Sequence, residues 1–170
     1  MFKKFLNELI EQLYFKQPGN LALYDQLTEV YNYNWLHHIA ASKYFHKEVF
    51  ITVIDVNNFK QINDKEGHIK GNIMLQDIAK QLMQLKSFDS SIEVARYGGD
   101  EFVIISKFDI SSLIEMVNEK KKLVSYGICK KYAGQHITVA FIKADDAMYR
   151  YKMDLKNKQN KHKKFKTVGA

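Results

Sequence analysis

The eight residues Ala95-Arg96-Tyr97-Gly98-Gly99-Asp100-Glu101-Phe102 constrain this chain more than any other stretch. Before them, Ile92-Glu93-Val94-Ala95-Arg96-Tyr97 alternates apolar and polar residues. After them, Phe102-Val103-Ile104-Ile105-Ser106 is a β-branched run. Two such runs joined by a glycine-rich dipeptide predict a tight β-hairpin. Asp100 and Glu101 are adjacent carboxylates at the head of a strand that reads as buried. In such a place carboxylates need a cation or hydrogen-bond donors to offset desolvation. Taken alone, the same pattern also describes an acidic turn in solvent, so the rest of the chain has to decide.

Composition narrows the field. The 170 residues suffice for one domain with a real core. A single cysteine, Cys129, rules out an intrachain disulfide. No apolar run reaches the ~20 residues needed to span a bilayer. Asn7, Glu8 and Glu11 interrupt the opening residues, which therefore do not read as a signal peptide, and a cytoplasmic protein is expected. The formal charge is +7, but much of the excess lies between Lys156 and Lys166. Such a run reads as a solvated tail, and no basic surface interleaved with aromatics points to nucleic acid as a partner.

In chain order, Phe2, Phe5, Leu6, Leu9, Ile10, Leu13 and Tyr14 have helical spacing, closed by Gln17-Pro18-Gly19-Asn20. Residues 1–20 thus read as an amphipathic helix that packs on its own domain or on a twin. A second helical pattern covers 22–44, with capping residues in Asp25-Gln26-Leu27-Thr28. His37, His38 and His46 lack ligand spacing and are not expected to bind metal. Val49 to Val56 is a continuous apolar run that suits a central strand covered on both faces, yet it ends in Asp55. Asn57 to Asp64 and Gly67 to Asn72 lead to a helix expected over Ile73 to Leu85. A short helix over Ser111 to Leu123 and a strand over Val124 to Ile128 follow. His136 to Phe141 alternates like a strand but runs into a helical pattern, and periodicity leaves both open. The whole reads as one α/β (α+β) domain over 21–157, with a basic, disordered tail over 158–170.

If the strand ending in Asp55 neighbours the hairpin, then Asp55, Asp100 and Glu101 converge on a hard cation, Mg²⁺ or Mn²⁺, of the kind that accompanies substrate phosphates. Lys60, Lys152 and Lys156 could face a polyphosphate.

Here the chain resembles the GGDEF-domain diguanylate cyclases. Asp25-Gln26-Leu27-Thr28-Glu29-Val30-Tyr31-Asn32, Asp55-Val56-Asn57-Asn58-Phe59-Lys60-Gln61-Ile62-Asn63-Asp64, Gly67-His68-Ile69-Lys70-Gly71-Asn72, Arg96-Tyr97-Gly98-Gly99-Asp100-Glu101-Phe102 and Ala144-Asp145-Asp146-Ala147-Met148-Tyr149 carry the likeness. Any one of these motifs is weak evidence; five in order are strong. The resemblance implies a palm-like central β-sheet wrapped by helices, and it favours helix for Ile137 to Phe141. It also implies condensation of two GTP to cyclic di-GMP in an antiparallel encounter of two protomers, hence a homodimer for catalysis. By resemblance, Asp55, Asp100 and the Val56 carbonyl bind Mg²⁺. Glu101 helps activate the 3′-hydroxyl or acts as a second metal ligand. Gly98 and Gly99 let the backbone approach the nucleotide, Phe59 and Lys60 lie in the phosphate loop, and Lys152 and Lys156 contact the β- and γ-phosphates. Asn63 reads guanine.

The departures matter as much. Asn72 stands where the family has Asp. An amide offers one acceptor and one donor, a pattern that suits adenine or a weakened guanine contact, so ATP joins GTP as a candidate substrate. Asn57 replaces a second Asp, Tyr33 an Arg, and Glu29 a Gly. Asp89-Ser90-Ser91-Ile92 fills the position of the family's Arg-x-x-Asp product-inhibition site, so no feedback site is expected. The stretch from Ser106 to Val124 is shorter than usual. The alternative to an active cyclase is a degenerate module that binds nucleotide or a partner protein without turnover.

Overall fold

The computed structural model describes residues 23–118 and 123–168. The helix expected over 1–20 lies outside them. Four antiparallel strands, β1 (Val49–Val56), β2 (Glu93–Gly98), β3 (Glu101–Ser106) and β4 (Val124–Lys131), form one sheet in the order β2-β3-β1-β4. The apolar run therefore makes an inner strand, and the glycine-rich motif makes the expected hairpin, closed by Gly99 and Asp100. β4 runs three residues further than the sequence suggests, because Cys129, Lys130 and Lys131 continue the ladder with Ile51, Phe50 and Val49.

Period-2 alternation sends successive residues of β1 to opposite faces. On one face Ile54 and Val56 join Val94, Phe102, Ile104 and Val124. Leu75, Ile78, Ala79 and Leu82 of α3 (His68–Gln84) and Ile114 of α4 (Ser111–Asn118) cover them. On the other face Val49 and Ile51 meet Trp35, Leu36 and Ala40 of α1 (residues 33–43), together with Ile137 and Ala140 of α5 (Ile137–Val168). Val53 meets Ala144 and Met148 of the same helix. Asp55 belongs to this second face, so it points towards α5. The result is the palm-like sheet wrapped by helices.

Three expectations change. The helix placed over 22–44 starts only at 33, and its middle, Trp35–Ala40, is wound as a π-helix. Residues 23–32 instead form a closed turn, because Asp25 Oδ1 accepts hydrogen bonds from the Thr28 backbone N–H and hydroxyl, and Tyr31 bridges to Tyr24 and Ala95. α3 begins at His68 rather than Ile73: a break at Gly67 separates it from α2 (Phe59–Glu66), and residues 68–72 then complete its first turn. Ile73 is exposed. Residues 137–141 are helical. The basic stretch from 158, read as a disordered tail, continues α5 as far as Val168. It holds no proline or glycine before Gly169, and Lys, Gln and Asn alternate in a run that the preceding helix has already nucleated.

Glu29, which stands where the resembled family has glycine, adopts φ 62°. A side chain in the left-handed region costs about 1–2 kcal/mol. Glu29→Gly is therefore expected to raise stability by about 1 kcal/mol after the extra backbone entropy of glycine is counted. A higher urea midpoint with an unchanged slope bears this out, and a lower midpoint contradicts it.

Candidate active site

The carboxyl-terminal end of β1 and the hairpin turn are locked together. Asp55 and Glu101 are register partners, and the Val56 N–H donates to the Asp100 carbonyl at 3.0 Å. Asp55 is 7% exposed, and its Oδ1 accepts a 2.6 Å bond from Lys152 Nζ. Lys152 reaches it because α5 lies directly on β4 at Gly127. A Cβ at that position would run into the Ala144 carbonyl and the Met148 nitrogen, so only glycine lets the helix come so close.

The three acids do not converge as one cage. Among the described residues, no three His, Cys, Asp or Glu side chains are gathered so as to hold a metal ion. The reason is local: Asp100 sits in the turn and Glu101 opens β3, and neighbouring residues of an extended chain send their side chains apart. Glu101 shares the face of Asp55, whereas Asp100 lines the adjoining cavity. They remain electrostatically close. Burial pushes the Asp100 carboxyl up, and the charge of Asp55 adds to this. Burial likewise raises Glu101, helped by Asp100, Asp55 and Asp145. Two carboxylates and a backbone carbonyl, with phosphates supplying the remaining ligands, are the donor set that Mg²⁺ accepts, so the residues present fit such an ion.

Beside the acids opens a cavity of about 290 Å³ lined by Asn57, Asn58, Phe59, Lys60, Asp100, Lys152 and Lys156, among others. Five of the expected site residues, Phe59, Lys60, Asp100, Lys152 and Lys156, thus share one wall, and Val56 also lines it. Asn58 precedes α2 in the left-handed conformation (φ 61°), and its side chain does not cap the helix. Phe59, Lys60 and Gln61 line the cavity, so the uncapped start of α2, with the positive end of its dipole, lies beside it. Asn57, the residue that replaces an Asp, accepts a 2.7 Å hydrogen bond from the Ser125 hydroxyl through Oδ1.

Asn63 and Asn72 lie on α2 and α3. Gly71 packs against Asn63, and a Cβ there would collide with its side-chain amide. Asn63 Oδ1 is buried without a hydrogen-bond partner among the described residues, whereas Asn72 is exposed. Gly98 and Gly99 are exposed as well, with open space where their side chains would be.

One element of the site was not assigned from the sequence. Arg96 clamps the turn: its Nε and Nη2 donate to the Gly99 carbonyl at 3.0 and 2.6 Å, and its Nη1 donates to Asp25 at 3.0 Å. Both residues belong to quoted motifs, but they lie 71 positions apart. The only available sign was an arginine and an aspartate each adjoining a turn motif.

The comparisons with known proteins agree with this geometry. A family model described as "Diguanylate cyclase, GGDEF domain" matches residues 22–120. Diguanylate cyclase DgcP of Escherichia coli (strain K12) is 30% identical over 107 residues, covering 61% of this chain and 28% of the relative. The chain spans about a quarter to two fifths of the length of such curated relatives. Among solved structures, a microbial GGDEF domain studied for its interaction with bis-(3′,5′)-cyclic di-GMP superposes with a TM-score of 0.63 at 26% identity, covering 78% of this chain and 94% of that one. The GGDEF domain of DgcB from Caulobacter crescentus, in complex with c-di-GMP, shares the fold with a TM-score of 0.66 at 22% identity, covering 78% and 89%.

Proposed function

The chain belongs to the GGDEF-domain family, and from that premise we propose that it condenses two nucleoside triphosphates into a cyclic dinucleotide, cyclic di-GMP when both are GTP. One observation carries the reading. The uncapped N-terminus of α2, Lys60, Lys152 and Lys156 share a single cavity with Asp100, and Lys152 links it to Asp55 through a hydrogen bond. Helix N–H groups and ammonium groups suit phosphate oxygens, and the neighbouring acids suit a divalent cation.

On this reading the triphosphate lies along the start of α2, with its oxygens met by Lys60, Lys152 and Lys156. Lys156 supplies charge but not the two-pronged contact of an arginine. Asp55, Asp100 and the Val56 carbonyl would hold Mg²⁺ or Mn²⁺, which neutralises phosphate charge when bound. Each copy of the chain holds one nucleotide, so two copies must meet. The 3′-hydroxyl of one nucleotide attacks the α-phosphorus of the other, the bond to pyrophosphate breaks, and Glu101 receives the hydroxyl proton. A second such step closes the ring and releases the second pyrophosphate. Product formation therefore rises more steeply than linearly with protein concentration while two copies are assembling.

Asn63 and Asn72 would meet the base. Replacing a carboxylate by the Asn72 amide removes the paired acceptor that guanine calls for. Sites built on such pairing reject the wrong group by about 10⁴–10⁵, so here the preference for GTP over ATP is expected to shrink to within about 100-fold. The test is incubation with each of the four nucleoside triphosphates, singly and mixed, in Mg²⁺, with products identified by mass and Asp100→Ala alongside. The expected result is cyclic di-GMP and pyrophosphate from GTP, adenine-containing product from the mixture, and neither from the variant. Strict GTP use would remove the altered selectivity alone. Nucleotide binding without any cyclic product would favour the degenerate module.

A further inference from the structure

We propose that Lys152 occupies the cation's ligand on Asp55 and trades it for phosphate, so that metal and triphosphate binding are coupled through one side chain. The inference rests on the reading above and adds to it a mechanism of mutual dependence. Lys152 Nζ lies 2.6 Å from Asp55 Oδ1, and Asp55 is nearly buried. An oxygen that closely engaged by an ammonium cannot also serve a divalent cation at coordination distance, because two positive charges a few ångströms apart repel strongly in a poorly screened site. Lys152 must therefore leave before Oδ1 of Asp55 can bind a metal ion, and while it stays its charge weakens the hold of Oδ2 on one.

The structure provides it with a destination. Lys152 also lines the cavity that holds Lys60, Lys156 and the α2 N-terminus. Its side chain is 28% exposed and sits on a flexible four-carbon stem, so it can swing while the helix stays in place. The helix itself is pinned by the contact of Ala144 and Met148 with Gly127 and Val53. The backbone of residue 152 is thus fixed, and its ammonium has two anionic stations, Asp55 and the phosphate site. A phosphate in the cavity draws Lys152 away and frees Asp55; a cation at Asp55 releases Lys152 to the cavity. Each ligand then raises the affinity for the other by the same factor, as linkage requires.

The test is Mn²⁺ binding without nucleotide, followed by electron paramagnetic resonance of the free ion, on the wild type, Lys152→Met, Lys152→Gln and Asp55→Asn. Circular dichroism confirms that each is folded. The expected result is weak binding by the wild type, at least about tenfold tighter binding by both Lys152 variants, and none by Asp55→Asn. Repeating the titration with α,β-methylene-GTP should tighten Mn²⁺ binding more in the wild type than in Lys152→Met, after correction for chelation by the free nucleotide. Lys152 variants that bind Mn²⁺ no tighter than the wild type, with Asp55→Asn still abolishing binding, would overturn the exchange and leave the catalytic reading standing. Absence of Mn²⁺ binding from wild type and Lys152 variants alike, with the nucleotide analogue present, would overturn the reading and the exchange together.

Discussion

Asp55→Asn is expected to lower cyclic dinucleotide formation by on the order of 10³-fold while leaving the fold intact. The carboxylate is the only acid on β1, is nearly buried, and stands in register with Glu101 at the point where the hairpin joins the strand. Asparagine keeps its shape and removes its charge. The usual penalty for such a change is an orphaned buried partner, but Lys152 is partly exposed and can turn into the neighbouring cavity. The loss should therefore fall on catalysis and not on stability. Product formation measured beside a thermal melt separates the two. A variant within tenfold of the wild type would mean that Asp55 is not part of the chemistry, and a large drop in melting temperature would mean that its role is structural.

The second large effect is expected from Arg96→Ala. Arg96 is 15% exposed at its side chain and joins two turns, donating to the Gly99 carbonyl and to Asp25. Its removal leaves the Gly99 carbonyl without its donor and strips the partly buried Asp25 carboxylate of its charged partner, leaving it only the Thr28 N–H and hydroxyl. Charge-assisted bonds of this kind contribute about 1.5–3 kcal/mol each before relaxation, so a loss of roughly 2–4 kcal/mol is expected from the urea midpoint. Because the clamp orients the turn that carries Asp100, turnover should drop as well. The pH dependence gives a separate readout. Burial pushes the Asp25 carboxyl up, but hydrogen bonds from Thr28 and Arg96 outweigh it and hold the group below its ordinary range. The folded chain thus binds that proton more weakly than the unfolded chain. The stabilisation is complete above the ordinary carboxylate value of about 4 and is lost as pH falls through the lowered folded value. Arg96→Ala should therefore flatten the acid limb of the stability curve. An unchanged acid limb would show that the pair contributes little.

Local chemistry determined how much of this could be read in advance. The hairpin, the inner strand and the juxtaposition of Asp55 with Glu101 follow from patterns that a few adjacent residues carry: alternation, a β-branched run, glycines at a turn. The cavity beside the acids was partly legible because most of its lining falls in two short stretches, 56–61 and 152–156. Long-range close approach was not legible. Gly127 looks like any strand glycine until α5 is seen lying on it, and Lys131 sits in a basic pair yet is fully buried, its ammonium donating to the carbonyls of Phe45, Lys47 and Tyr132. The three acids come close without forming one three-carboxylate cage, because Asp100 sits in the turn and Glu101 on the strand that follows. The misplaced start of α1 has a chemical one: Asp25 caps a turn with the same groups that would cap a helix.

The central claim, that acids and lysines brought together by this fold hold a nucleoside triphosphate through its phosphates and a divalent cation, is tested most directly by calorimetric titration with α,β-methylene-GTP in the presence and absence of Mg²⁺. The account predicts saturable binding of one nucleotide per chain in Mg²⁺, which is lost in excess chelator and in Asp55→Asn. Binding of undiminished strength without the metal ion, or no binding at all, would contradict it.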